Sequence, residues 1–194
     1  MGLFSRLVAS FWAPSSLSTF TPRSQQTLAL ARRVAASLGR DCVDIDHMLV
    51  GLLWLNQGVA VLALKKAGVD LQILKSEIEK GCPRGDMSIE AIRMPYDKSV
   101  KLCLALGMRE MKSLSNSNFG TEHILLGIMR YGAGVAAREL NIRGLTLISV
   151  REHVRDVKIE ESKKGANQAS VPTPASVTPA AGAPVAPDAG AAHL

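Results

Sequence analysis

The sequence predicts an all-α domain built from two four-helix repeats that form an eight-helix bundle with pseudo-twofold symmetry. Three observations lead there. The chain matches itself at a fixed offset, strand signals are absent, and glycines and capping residues divide each copy into four short apolar-periodic segments. At an offset of 76 residues, Leu28-Ala29-Leu30 falls on Leu104-Ala105-Leu106 and Arg33 on Arg109. Ser37-Leu38 falls on Ser113-Leu114, and His47, Leu49 and Gly51 fall on His123, Leu125 and Gly127. Gly58-Val59-Ala60 falls on Gly134-Val135-Ala136, and Leu64, Gly68 and Leu71 on Leu140, Gly144 and Leu147. That is 15 identities over residues 20–80 without a gap. Shared Leu and Ala arise easily from composition, but Gly and His at one constant offset indicate duplication.

The elements follow in order. The first helix spans about Pro22 to Leu38, with Thr21 as cap and Pro22 at the first helical position, where a missing N–H does no harm. Asp97 caps its counterpart. The second helix begins near Asp44 in copy one and at Thr121 in copy two. Gly58 and Gly134 break the chain before the third helix, and Gly68 and Gly144 end it. Asp70 and Thr146 cap the fourth. Residues 81–95, with Gly81, Pro83, Gly85 and Pro95, read as the loop between copies, so repeat one is 20–80 and repeat two 96–157.

Two flanks differ from this middle. Residues 165–194 carry five of the nine prolines, one acid and no Lys, Arg or aromatic residue. Such a segment buries too little apolar surface to offset ordering entropy, so 158–194 reads as a charged linker and a disordered Ala/Pro-rich tail. Residues 1–19 form an arm or leader in which Leu3, Leu7 and Phe11 share a helical face beside Phe4, Val8 and Trp12. With Arg6 as its sole charge, the arm is expected to dock on protein and not on a membrane surface. It is a poor secretory signal, and the myristoylation pattern fails at Arg6.

Composition excludes several classes. The net charge is +6, with 23 Lys and Arg against 17 Asp and Glu. The basic residues are scattered, without a recognition-helix or base-stacking motif, so nucleic-acid binding is not expected. Cys42, Cys82 and Cys103 are an odd number at irregular spacing, which argues against a disulfide scaffold. No apolar run reaches the roughly 18 residues of a membrane span, and no P-loop motif occurs.

Phe20-Thr21-Pro22-Arg23 opening a helix resembles the Clp N-terminal (Clp repeat) domain. So do Gly120-Thr121-Glu122-His123-Ile124-Leu125-Leu126-Gly127 and Gly132-Ala133-Gly134-Val135-Ala136-Ala137. The similarity spans about residues 20–157 in both copies. It implies a binding domain that docks adaptors and substrates for an unfoldase, here without the ATPase modules. Copy one departs from the pattern with Asp44-Ile45-Asp46-His47, and copy two with Tyr96-Asp97-Lys98-Ser99.

Several residues that suggest a site have a plainer explanation. His47 and His123 recur in register but have no second His or Cys at ligand spacing, so local packing explains them better than a metal. Cys42 precedes His47 by five residues, yet no third group completes a nucleophilic site, and a hydrolase reading is remote. Arg84-Gly85-Asp86 in a short loop is a coincidental match to an adhesion tripeptide. Asp46 and Glu122 are equivalent by duplication and lie near helix N-termini, where carboxylates cap and meet the dipole. In bacterial members of the family the resemblance implies that such glutamates help bind phosphorylated arginine, with the first-helix Thr near the phosphate.

The expected peptide-binding residues are therefore Thr21 and Asp46 in one copy and Asp97 and Glu122 in the other. The chain is expected to be no enzyme, with no cofactor or metal. It should be a protein-binding module of the Clp system, engaging Clp ATPase or protease subunits, adaptors or substrates and modulating proteolysis. The alternative is an accessory subunit that docks on and stabilises the proteolytic core. A cytoplasmic location is expected, or an organelle if residues 1–19 are a leader. The sequence leaves the oligomeric state open.

Overall fold

In a computed structural model of the chain, residues 18–88 and 90–169 are described, the side chains as far as 164. The eight expected helices are present: α1 (Pro22–Ser37), α2 (Ile45–Leu55), α3 (Val59–Lys66), α4 (Leu71–Gly81), α5 (Lys98–Ser113), α6 (Thr121–Tyr131), α7 (Gly134–Ile142) and α8 (Leu147–Ala169). Among the described residues there is no strand, only two isolated bridges. The fold is all-α, as the missing alternation and scarce aromatics indicated.

The caps are those the sequence marks. Thr21 Oγ1 accepts the Ser24 N–H, Asp44 the N–H groups of Asp46 and His47, Asp70 those of Gln72 and Ile73, and Asp97 that of Val100. Each satisfies donors that the first helical turn leaves unpaired. Thr146 Oγ1 accepts from Ser149 N at 3.1 Å. The histidines act locally too. His47 Nδ1 accepts the Asp44 N–H at 3.1 Å, and His123 Nδ1 accepts the Gly120 N–H at 2.8 Å. Both rings are fully buried. Among the described residues no group of three His, Cys, Asp or Glu is placed to hold a metal.

The repeats are interleaved and do not simply sit side by side. The segment before α1 pairs with the segment before α6: Thr21 N donates to Phe119 O (3.0 Å) and Phe119 N to Thr19 O (2.8 Å). Shifted by the repeat, the same pair of bonds joins the segments before α5 and α2. Asp97 N donates to Val43 O (2.9 Å) and Val43 N to Pro95 O (2.8 Å). The fourth helix of each repeat packs on the third helix of the other, α4 on α7 and α8 on α3. The two halves share one core. One continuous apolar cluster runs from Phe20 and Leu28 through Leu49, Leu52 and Leu74 to Leu104, Leu125, Leu140 and Val154.

The glycine shared at 51 and 127 marks a close helix crossing within each repeat. A Cβ on Gly51 would lie 2.6 Å from Ala31 N, and one on Gly127 would lie 2.5 Å from Cys103 O. Only a residue without a side chain lets α2 cross α1, and α6 cross α5, at that distance.

The end of the domain differs from expectation. The boundary set at residue 157 falls inside α8, which continues to Ala169. The first residues assigned to a disordered tail, 165–169, are therefore helical. Charged residues 151–164 favour helix and carry no proline, which explains the extension. The rest of the tail and residues 1–17 lie outside the described residues. No single described helix is long and apolar enough to cross a membrane. The apolar pair α2 and α3 is bent by 88° and supplies much of the core.

Candidate functional site

Because the repeats interleave, the start of α1 faces the start of α6 and not the start of α2. Thr21, Pro22 and Arg23 line a cleft of about 320 Å³ with Gly58 and Val59 at the start of α3 and with Thr121 and Glu122 at the start of α6. Three helix N-termini from two repeats thus converge on one opening, and their dipoles give it a positive backbone field. The sequence reading paired Thr21 with Asp46 and Asp97 with Glu122. The structure instead places Thr21 with Glu122, and Asp97 beside the Val43–Asp44 segment. The reason is the crossed pairing of the segments that precede the helices.

The exchange sorts the residues by type. Phe20-Thr21-Pro22-Arg23 and Gly120-Thr121-Glu122-His123, which carry the family pattern, meet in one composite cleft. Asp97-Lys98-Ser99 and Asp44-Ile45-Asp46, which depart from it, meet on the opposite side of the pseudo-twofold axis. The two sites are thus unequal by construction.

Their carboxylates are engaged differently. Asp46 is 7% exposed, and its Oδ1 accepts the Ala136 N–H at 2.7 Å, capping α7 from the other repeat. Burial raises its pKa, an effect the Ala136 N–H opposes. In the pseudo-equivalent place Thr121 Oγ1, not Glu122, takes the Ala60 N–H at 3.3 Å. That leaves Glu122 for a cation. Its Oε1 lies 2.8 Å from Lys158 Nζ on α8, with the glutamate side chain 7% and the lysine 33% exposed. Asp97 accepts from Val100 N and from Ser99 Oγ at 2.6 Å, so its carboxylate is held as a cap.

Sequence reasoning missed Gly58, Val59 and Lys158. The first two were visible as a shared Gly-Val-Ala, read only as a helix break. Lys158 lies 36 residues after Glu122 and beyond the expected domain edge, and no local pattern linked the two. The thiols give no nucleophile. Burial pushes Cys42 up to about 11 and Cys82 up to about 12, and it raises Cys103 as well. A reactive cysteine needs the opposite shift.

Comparison with known proteins agrees with this architecture. The Clp repeat (R) N-terminal domain family matches residues 19–142, and the chain belongs to that family. It is 39% identical over 135 residues to the negative regulator of genetic competence ClpC/MecB of Bacillus subtilis, covering 70% of this chain and 16% of that protein. It is 32% identical over 157 residues to the chloroplastic chaperone protein ClpC1 of Arabidopsis thaliana, covering 81% and 17%. The chain thus spans about one sixth of the length of these relatives. Among solved structures, the N-terminal domain of the ClpD chaperone from Arabidopsis thaliana superposes with a TM-score of 0.57 at 20% identity, covering 72% of this chain and 97% of that one. The Hsp104 N-terminal domain from Candida albicans gives a TM-score of 0.59 at 11% identity, covering 72% and 91%. These structural likenesses concern the fold.

Proposed function

We propose that this chain is a non-enzymatic protein-binding module of the Clp unfoldase and protease system, taking up substrate, adaptor or Clp subunits through the Thr21–Glu122 cleft. The observation that carries this reading is the assembly of Thr21, Arg23, Thr121 and Glu122, drawn from two repeats, around converging helix N-termini. Such a cleft suits an extended peptide. Helix N–H groups and Arg23 receive carbonyl or anionic groups, while Glu122 receives a basic side chain in place of Lys158. Its ligand class includes a phosphorylated arginine, whose guanidinium would take Glu122 and whose phosphate would take the α1 N-terminus. Asp97 and the engaged Asp46 make the opposite site poorer for an anion and more suited to a cationic peptide.

The test is capture of partners by the full chain and by Glu122→Gln, with titration of a basic peptide and its arginine-phosphorylated form. A charge-assisted hydrogen bond contributes about 1.5–3 kcal/mol when desolvated, so Glu122→Gln should weaken binding roughly tenfold or more. Thr21→Ala should weaken only the phosphorylated form, and Asp97→Thr should improve that form's binding at the second site. Equal affinity in all variants would remove the cleft as the binding site. Recovery of proteolytic core without unfoldase or adaptor would favour the accessory-subunit role instead.

A further inference from the structure

We propose that the segment Ala9-Ser10-Phe11-Trp12 docks on its own chain, in a groove between the α5–α6 turn and α8. The groove has a volume of about 370 Å³ and is lined by Ser113, Leu114, Asn116, Val154, Lys158 and Ile159. It exists because α8 continues past the position at which α4 ends. Gly81 of α4 corresponds to Val157, and beyond it α8 supplies Lys158 and a half-exposed Ile159 as a wall.

The occupant follows from the repeat. In repeat one the equivalent turn is covered by the linker that precedes repeat two. Gly85 N donates to Leu38 O at 2.9 Å, and Met87 N to Gly39 O at 3.0 Å. The repeat offset turns Leu38 and Gly39 into Leu114 and Ser115, and Gly85 and Met87 into Ala9 and Phe11. The backbone carbonyls of Leu114 and Ser115 have no hydrogen-bond partner among the described residues.

The path of the chain points the same way. The bridge between Phe20 and Phe119 is parallel, so from Phe20 back to Ser18 the chain heads the same way as from Phe119 back to Ser117, toward the groove that Asn116 lines. Five residues lie between Trp12 and Ser18, so six backbone steps reach up to about 20 Å. The two dockings differ in closeness. A Cβ on Gly85 would lie 2.2 Å from Gly39 O, and one on Gly39 would lie 2.2 Å from Gly85 O. Ala9 and Ser115 both carry that Cβ, so the arm lies further from the turn than the linker does. The groove of about 370 Å³ is open to the Phe11 and Trp12 rings, whose burial beside Leu114, Val154 and Ile159 would drive the docking.

The test uses Trp12 as a reporter in the full chain carrying Trp54→Phe, a change at an exposed position. The expected result is blue-shifted emission with several-fold weaker acrylamide quenching than free tryptophan, independent of protein concentration. Ile159→Asp, on the exposed wall, should return both to solvent-like values without changing the circular dichroism spectrum. Solvent-like emission in the parent would overturn the proposal. So would a blue shift that ignores Ile159→Asp, rises with concentration, or appears only with anionic vesicles.

Discussion

The carboxylate of Asp46, in the first turn of α2, caps α7 of the opposite repeat by accepting the Ala136 N–H at 2.7 Å. Helix α7 has no capping side chain of its own: Ala133 precedes it, and Gly134 at φ +91° brings its backbone onto the aspartate. The bond therefore ties the halves together where neither is locally self-sufficient.

Asp46→Ala leaves a buried N–H unpaired and should lower stability by about 1–3 kcal/mol. Urea unfolding checks it, and the midpoint should fall with little change in slope. A loss below about 0.5 kcal/mol would show that water replaces the carboxylate.

Gly127→Ala and Gly51→Ala test the crossings within each repeat. Intrinsic helix propensity alone favours alanine by about 1 kcal/mol. The added Cβ would lie 2.5 Å from Cys103 O or 2.6 Å from Ala31 N, backbone atoms that cannot step aside. Overpacking of this kind costs about 1–3 kcal/mol. Both variants should therefore be destabilised, and a thermal melt that rises in either would contradict the close crossing.

Contacts between the repeats mark the boundary of what the sequence discloses. The helices, their caps and their glycine ends are local, so spacing and residue type reveal them. The duplication is equally legible because Gly and His recur in register. Exchange between the copies is not local. Nothing in Thr21 or Glu122 states that a segment before one helix pairs with the segment before another, 99 residues on in the case of Phe20 and Phe119. The sequence reading therefore found the site residues' positions in the helices but grouped them within copies. Lys158 reaches Glu122 within one copy, but across 36 residues, so that pair too leaves no local trace.

Arg40 and His47 show what happens when the copies diverge. In repeat two the Asn116 amide lies 2.8 Å from His123 Nε2 and satisfies it. Arg40 stands at the equivalent place and has donors only, and both Arg40 Nε and His47 Nε2 are buried without a partner among the described residues. Arg40→Asn should supply the acceptor that His47 lacks and raise stability by about 1 kcal/mol. Unchanged or lower stability in urea would mean that the arginine's other contacts outweigh the gain.

His123 sets an acid limit on the domain. Burial holds its pKa down at about 4, against the opposing pull of Glu122, because an imidazolium there would lose hydration. Its Nδ1 already accepts the Gly120 N–H, which fixes the neutral ring at the entrance to α6. The unfolded chain binds this proton near pH 6.5, so it takes up the proton before the folded chain does. The contribution is therefore complete above pH 6.5 and is lost as pH falls toward 4, about 3 kcal/mol in all. Glu110, which is fully buried, adds a second loss at lower pH. Burial raises its pKa, but hydrogen bonds from Arg151 and Arg130 outweigh that and bring it below the usual glutamate range. Urea midpoints measured from pH 7 to pH 4 should fall steadily in the parent. They should fall less in His123→Gln, which lacks the titrating group but keeps an acceptor for the Gly120 N–H. Parallel curves for the two proteins would show that other groups govern the acid response.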